Sequence, residues 1–303
     1  NLIFIRKIIK KNKPDICEFA SHSMNILGLY GSIFTNTKKI FWITGMGSFF
    51  IQKNYFNLIF KFIIINSYRF SKYNKPSKFI IENKKDLEFF IKNNYIEKKN
   101  IYLIPGAGVD KNLYINKNSD KLTFKNIILM PCRIIKDKGV LDFIKVADYF
   151  LKINNKKFKF ILLGSLDNDN PSSLTKNEIN LIKDHPLIKW HEHTENIIQY
   201  YKKSLILLFL SYREGFPKTI NEALMMDLPV IAYDVPGCNE IVINGVNGRL
   251  VEFQNIDKLC KTVYETVNNK KTIYEFSKNA RLSVVNNFSN DIIFKKTLEI
   301  YNI

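Results

Sequence analysis

Two glutamates eight positions apart, Glu214 and Glu222, lie in the stretch SYREGFPKTINEAL at residues 211–224, the first in a Gly-Pro turn and the second in an apolar, helix-like run. The apolar run LILLFLS ends at Ser211 and reads as a strand. The turn YREGF follows, and Pro217 suits the first position of a helix, where a backbone N–H has no partner within the helix. Free N–H groups and a positive dipole end attract phosphate, so the amides of Gly215, Phe216, Lys218 and Thr219 around Pro217 are candidate phosphate donors. Gly215 lets the backbone come close to a ligand. Carboxylates accept hydrogen bonds from paired hydroxyls, as the acidic residue of dinucleotide folds does with ribose. A sugar nucleotide, with its diphosphate, ribose and hexose, meets all of these groups at once.

Such residues must be held by elements, and the second half of the chain supplies them. From residue 126 onward, NIILMP, KFILLGS, LILLFLS and PVIAYD read as buried strands of a parallel sheet. Between the first two, Val140, Phe143, Ile144, Ala147, Phe150 and Leu151 recur at helical spacing. Strand and helix alternate, which makes this half α/β, and open α/β sheets bind ligands at the carboxyl ends of their strands. Residues 1 to about 115 carry the same grammar more weakly, with PDICEFAS, KKIFWIT, KFIIEN and NIYLIPG as strands. A polar linker is expected at NKNSDK, residues 116–121, and a terminal helix at NDIIFKKTLEIY.

Composition bounds the partners. With 303 residues, 46% of them hydrophobic, the chain reads as a soluble globular protein of one large or two ordinary domains. A formal charge of +18 raises nucleic acid or an anionic membrane as partners, although Lys and Asn crowd every segment, loops included. No helix-turn-helix, zinc or RNP-like signature supports nucleic acid, which is not expected as a partner. Cys17, Cys132, Cys238 and Cys260 are scattered without a C-x-x-C pair, so neither a disulfide framework nor a zinc site is suggested, and a reducing cytoplasm fits. No run reaches the ~18 apolar residues of a membrane span. NLIFKFIIIN at 57–66 is broken by Lys61 and reads as a buried helix, the alternative being an interfacial helix lying on lipid. The chain begins at Asn1 without a signal-peptide pattern.

The frame around the glutamate pair, EGFPKTINEAL followed by PVIAYDVPGCNEIVINGVNGRLV, resembles the retaining glycosyltransferases of family 4, whose signature is Glu, seven residues, Glu; the match runs from 211 to 251. The resemblance implies an α/β chain of GT-B type, two Rossmann-like domains with parallel sheets facing a cleft. It divides the chain into a partial acceptor-side domain at 1–118, a donor-binding domain at 119–285 and a terminal helix at 286–303 returning toward the first domain. CRIIKDKG at 132–139 is similar to the family's diphosphate clamp, in which Arg133 and Lys138 neutralise the leaving nucleotide. A planar fork and a point charge just before a helix opening at Gly139 make a sensible anion site. IPGAGVD at 104–110 matches the end of the family's first domain, and WITGMGSFF at 42–50 resembles its Thr-Gly-x-Gly loop, where Gly45 and Gly47 would let backbone approach donor or acceptor. PDICEFASHSMNILG and YRFSKYNKPSKFIIENKKDLEFF look like members that build polyprenyl-diphosphate-linked surface glycans.

By the same resemblance His193 in IKWHEHTENI matches a histidine common in the subgroup and is a candidate substrate contact, although Glu192 stands where a glycine is usual; the alternative is a structural histidine. His191 and His193 lack the further ligands of a metal site, and Asp167-Asn168-Asp169 lies in a turn-rich loop, so no metal is implied. The implied reaction passes a sugar from a nucleotide donor, a UDP-sugar or alternatively a GDP-sugar, to a hydroxyl of a glycan or polyprenyl-diphosphate-linked acceptor, with retention and without a cofactor. Glu214 would hold hexose hydroxyls, Glu222 the ribose diol, and Arg133 and Lys138 the developing diphosphate charge. A sugar-nucleotide epimerase of the same fold is the alternative. The resemblance also implies a cytoplasmic protein with peripheral contact to the inner face of a membrane, and a first domain lacking its opening strands, which would impair turnover.

Overall fold

The computed structural model describes residues 2–47, 55–73, 77–116 and 126–302. The chain forms two compact units: the first comprises Asn1–Ala107, Arg213–Phe216 and Ile293–Ile303, and the second Gly108–Tyr212 and Pro217–Ile292. Residues 117–121 of the expected linker and 48–50 of the WITGMGSFF loop lie outside the described residues, as does the expected boundary at 118–119.

In the first unit the order is α1 (Leu2–Asn12), β1 (Ile16–Ala20), α2 (His22–Gly31), β2 (Lys38–Ile43), α3 (Tyr55–Phe70), β3 (Ser77–Ile81), α4 (Lys84–Lys92) and β4 (Ile101–Leu103). The strands form a parallel sheet in the order β1-β2-β3-β4. Its register aligns Phe19, Phe41, Phe79 and Ile101 in one row across all four strands. Phe41 stacks on Phe19 at 5.4 Å and on Phe79 at 5.1 Å, so one face of the sheet is an aromatic core.

The second unit contains β5 (Ile127–Pro131), α5 (Val140–Lys152), β6 (Lys159–Leu163), α6 (Lys176–Lys183), β7 (Ile188–His191), α7 (Ile197–Lys203), β8 (Ser204–Phe209), α8 (Lys218–Met225), β9 (Val230–Tyr233), β10 (Gly248–Val251), α9 (Ile256–Asn268) and α10 (Lys270–Phe288), and α11 (Asn290–Asn302) follows. The sheet is again parallel, in the order β10-β9-β8-β5-β6-β7. The winding reverses between β5 and β8, and in a doubly wound sheet that switch point opens a crevice at the strands' carboxyl ends. β8 and β9 are buried along their whole length, the continuous apolar runs of a sheet covered on both faces. β7 and β10, which no apolar run announces, are four-residue edge strands with half-exposed side chains. From α11, Ile293 and Ile300 pack with Ile40, Ile80 and Ile104 on the other face of the first sheet.

The expectation of a buried helix at 57–66 is corrected. α3 buries Ile64, Ser67 and Tyr68 but exposes Leu58, Ile59, Phe60, Phe62 and Ile63, because a helix with apolar residues on every side can turn just one stripe to a sheet. Among the described residues no helix is long and apolar enough to cross a membrane.

Candidate functional site

The switch point of the second unit holds a pocket of about 650 Å³, lined at the carboxyl ends of β5, β6 and β7 and at the start of α8 by Arg133, Gly164, Asp167, His193, Thr219 and Glu222, among others. A larger cavity of about 940 Å³ in the same unit lies by the α9–α10 junction, lined by Lys258, Glu265 and Lys270, away from those strand ends. The switch-point pocket is the better candidate because it brings dipole ends, a guanidinium and a carboxylate together. Gly164, at φ +149, closes its floor where any Cβ would run into the Cys132 carbonyl, and Trp190 Nε1 donates to the Gly164 oxygen at 2.8 Å.

Arg133 stands two residues beyond the end of β5 and its side chain is 61% exposed, with Nη1 donating to Asp167 Oδ2 at 3.0 Å. Asn170 Nδ2 donates to the same oxygen at 3.1 Å. The Asp-Asn-Asp loop therefore supplies the counter-charge of the guanidinium, and among the described residues no cluster of His, Cys, Asp and Glu could hold a metal. Lys138 ends a 3-10 turn, Lys136–Lys138, and its Nζ lies 3.5 Å from Ser211 Oγ beyond β8. Gly139 then caps α5 in the left-handed region at φ +76. His193 is exposed at the pocket, with its backbone N–H toward Ser165 Oγ at 3.4 Å, and His191 Nδ1 meets the Tyr200 hydroxyl at 3.0 Å.

Glu222, in the second turn of α8, is 8% exposed. The Tyr114 hydroxyl donates to its Oε1 at 2.7 Å and the Tyr201 hydroxyl to its Oε2 at 3.0 Å. Lys218 Nζ, one turn back, is 3.6 Å from Oε1. Burial, and then Glu222 through its hydrogen bond and its charge, push both tyrosines upward, so they stay protonated as donors. A carboxylate has about four lone-pair sites, which leaves acceptor capacity for a ligand diol. Pro217 stands at the N-cap of α8, not at its first helical position, and has no side chain to cap the helix. Thr219, in the first turn, lines the pocket.

Residues 213–216 belong to the first unit, at the carboxyl ends of its strands. A Cβ on Gly45, at φ +112, would stand 2.9 Å from the Gly215 nitrogen, and one on Gly215 would meet the Thr44 carbonyl and the Glu82 carboxylate. Gly45 and Gly215 are thus needed for backbone to pass backbone. Gly47 also has positive φ, +69. Phe216 is buried against Gly106, and its N–H bonds Glu82. Glu214 is half-buried. Burial, and then the Glu214 charge, raise Glu82 to about 7. Arg213 pairs with buried Asp86 at 2.8 Å. At the end of β1, His22 Nδ1 meets the Tyr68 hydroxyl at 2.8 Å, and burial lowers this imidazole to about 4, leaving it uncharged near neutrality.

Sequence reasoning did not single out Tyr114, Tyr201, His22, Glu82, Asn83 or Asp86. Asn83 and Asp86 do carry a readable signal, the Asn-x-x-Asp pattern of a helix start, and Asn83 Oδ1 indeed accepts from the Asp86 N–H at 2.8 Å. That pattern announces α4, not its contacts with residues more than a hundred positions away. The tyrosines carry no local signal, since an aromatic in an apolar run reads as core.

The chain is similar to known proteins over almost all of its length. It is 24% identical to N,N'-diacetylbacillosaminyl-diphospho-undecaprenol alpha-1,3-N-acetylgalactosaminyltransferase of Campylobacter jejuni, over 100% of this chain and 80% of that protein. It is 28% identical to UDP-Gal:alpha-D-GlcNAc-diphosphoundecaprenol alpha-1,3-galactosyltransferase of Escherichia coli, over 95% of this chain and 75% of that one. The crystal structure of Anabaena Alr3699/HepE in complex with UDP and glucose superposes with a TM-score of 0.83 at 18% identity, over 98% of this chain and 80% of that chain, and shares the GT-B class of two parallel-sheet units. Residues 114–283, more than half of the 303, match the family model of glycosyl transferases group 1, and they contain Arg133, Lys138, Glu214 and Glu222 together with the switch-point pocket: the chain belongs to that glycosyltransferase family.

Proposed function

We propose that this glycosyltransferase takes its sugar from a UDP-sugar and transfers it, with retention at the anomeric carbon, to a hydroxyl of a polyprenyl-diphosphate-linked glycan in surface-polysaccharide synthesis. The observation that carries the reading is the switch-point pocket, where Arg133, Thr219 and the tyrosine-held Glu222 line one cavity. Two relatives support the acceptor class, since both are named for transfer to an undecaprenol-linked diphosphate, and the E. coli enzyme is also named for UDP-Gal. The family match and these relatives speak for transfer over epimerisation.

The reaction's main demand is charge. As the bond from sugar to phosphate breaks, negative charge grows on the departing diphosphate, and preorganised cations stabilise it. Arg133 and Lys138 meet that charge, with Arg133 exchanging Asp167 for phosphate oxygens. Glu222 takes the ribose diol, and Glu214 the hexose hydroxyls beside the reacting carbon. No covalent nucleophile and no cofactor enter this scheme. A polyprenyl acceptor resides in a membrane, and the exposed apolar residues of α3 together with a charge of +18 suit peripheral contact with an anionic cytoplasmic face. The test is product analysis of the purified chain with UDP- and GDP-sugars and a short polyprenyl-diphosphate-linked acceptor. A lipid-linked glycan extended by one α-linked sugar from the UDP donor is expected. Epimerised free nucleotide sugar, or transfer from GDP-sugars alone, would overturn it.

A further inference from the structure

The carboxyl end of β3 and the start of α4 grip residues 213–216 at consecutive points. The Phe216 N–H donates to the Glu82 carboxylate, Asn83 Nδ2 donates to the Gly215 carbonyl at 3.1 Å, and Arg213 Nη2 donates to Asp86 Oδ1 at 2.8 Å. The grip is itself tied together. Asn83 Nδ2 also donates to Asp86 Oδ2 at 2.9 Å, while its Oδ1 caps α4, so this amide works at both ends. Asn83 is 0% and Asp86 1% exposed. Buried polar groups are costly unless satisfied, and here part of their satisfaction comes from a turn 127 to 132 residues away in sequence. Glu214 stands between two held neighbours, with the Glu82 carboxylate against the Cα of the next residue.

We propose that Glu82 is a positioning residue for Glu214, acting with Asn83 and Asp86 to fix the carboxylate that meets the hexose hydroxyls. The proposal rests on the reading of Glu214 given above. A main-chain segment held by its amide, its carbonyl and an ion pair leaves the Glu214 side chain little more than its own rotamers, and an ångström of misplacement at a reacting centre costs about 10²-fold in rate. The Phe216 N–H favours a charge on Glu82, while burial and the Glu214 charge oppose it more strongly. The charged groups around it are Glu214, Asp86 and, paired with Asp86, Arg213; His22 nearby is neutral. With burial first and the Glu214 charge second, Glu82 titrates at about 7. Below that pH one negative charge occupies the turn. Above it two carboxylates repel one another and Glu214 is displaced, while Arg133, Thr219 and Glu222 in the second unit are untouched.

The experiment is the pH dependence of kcat for wild type, Glu82→Gln and Glu82→Ala, with the dissociation constant of UDP measured in parallel and Glu214→Gln as the reference. Wild-type kcat is expected to fall on the alkaline side with an apparent pKa near 7. Glu82→Gln, which keeps the acceptor oxygen without the charge, is expected to lose that limb. Glu82→Ala is expected to lower kcat by about tenfold or more at every pH with UDP affinity unchanged. A Glu82→Gln profile with the wild-type alkaline limb intact, or Glu82→Ala turning over like wild type, overturns the proposal. Glu82→Gln is close to isosteric, so its profile decides the matter even if the alanine variant does not fold. Full activity in Glu214→Gln would instead overturn the assignment of Glu214, and an inactive Glu214→Gln beside neutral Glu82 variants would overturn the present inference alone.

Discussion

At the residue scale the charged groups work through their partners. Arg133 is not a bare cation awaiting phosphate: Asp167 holds it at 3.0 Å, which orients the fork before a ligand arrives. If it meets charge that develops on the leaving diphosphate, Arg133→Ala should lower kcat by about 10²-fold in steady-state assays, and a change confined to KM would contradict that role. Glu222 is fixed by Tyr114 and Tyr201, and a carboxylate held that way would meet the proposed ribose diol in ground state and transition state alike. Glu222→Ala should therefore weaken UDP binding by about 1.5–3 kcal/mol in calorimetry, and unchanged affinity would contradict a ribose contact. Glu82 makes a stability prediction of its own. Its folded pKa of about 7 lies above the ordinary glutamate value of 4.5, so the contribution is fully present below the lower value and is lost as pH rises through the upper one. Glu82→Gln should thus melt above wild type at about pH 8 and close to it at about pH 5.

At the element scale the loops after β2, β5 and β8 are fitted by glycines that tolerate no side chain. Gly139 joins the Lys136–Lys138 turn to α5 at φ +76, and a Cβ there would strike the Leu210 carbonyl beyond β8. Gly139→Ala combines a strained backbone with a steric conflict between the loops that flank the switch point. It should cost about 1–3 kcal/mol or more in urea unfolding, and it should weaken UDP binding because Lys138 is the adjacent residue. Wild-type stability in that variant would show that the loop has room to move. α6 offers a contrast, its start being fixed by a capping box in which Thr175 and Glu178 satisfy each other's backbone groups, with Lys136 on the same Glu178 at 3.0 Å. The β5 loop is thereby tied to an element away from the pocket floor.

At the scale of the whole molecule the candidate site residues are divided between the two units. The second contains Arg133, Lys138, Thr219 and Glu222, and the first contains His22, Glu82, Glu214 and the glycines that seat residues 213–216. UDP alone should therefore stabilise the second unit. At about 100 times its dissociation constant it is expected to add ~2.7 kcal/mol, read by hydrogen exchange as slower opening of β5, β8 and α8 with little change in β1 to β4. Equal protection of both sheets would contradict this division. The formal charge of +18 belongs to this scale as well, because it governs association and not fold.

What the sequence determined by itself is what local pattern can encode. Apolar runs announced β1 to β6, β8 and β9, helical spacing announced α5, and the frame EGFPKTINEAL announced the family. β7 and β10 stayed hidden because an edge strand needs no continuous apolar run, and α3 read as buried because composition does not say which side of an apolar helix meets the sheet. Tertiary structure alone decided which groups meet. The turn from Arg213 to Phe216 follows β8 in sequence, yet it packs with β2, β3 and α4, and the hydrogen bonds that hold it join residues more than a hundred positions apart. Glu82 reads as the unremarked end of a strand until burial and the Glu214 charge act on it together, and neither is a property of its neighbours in the chain.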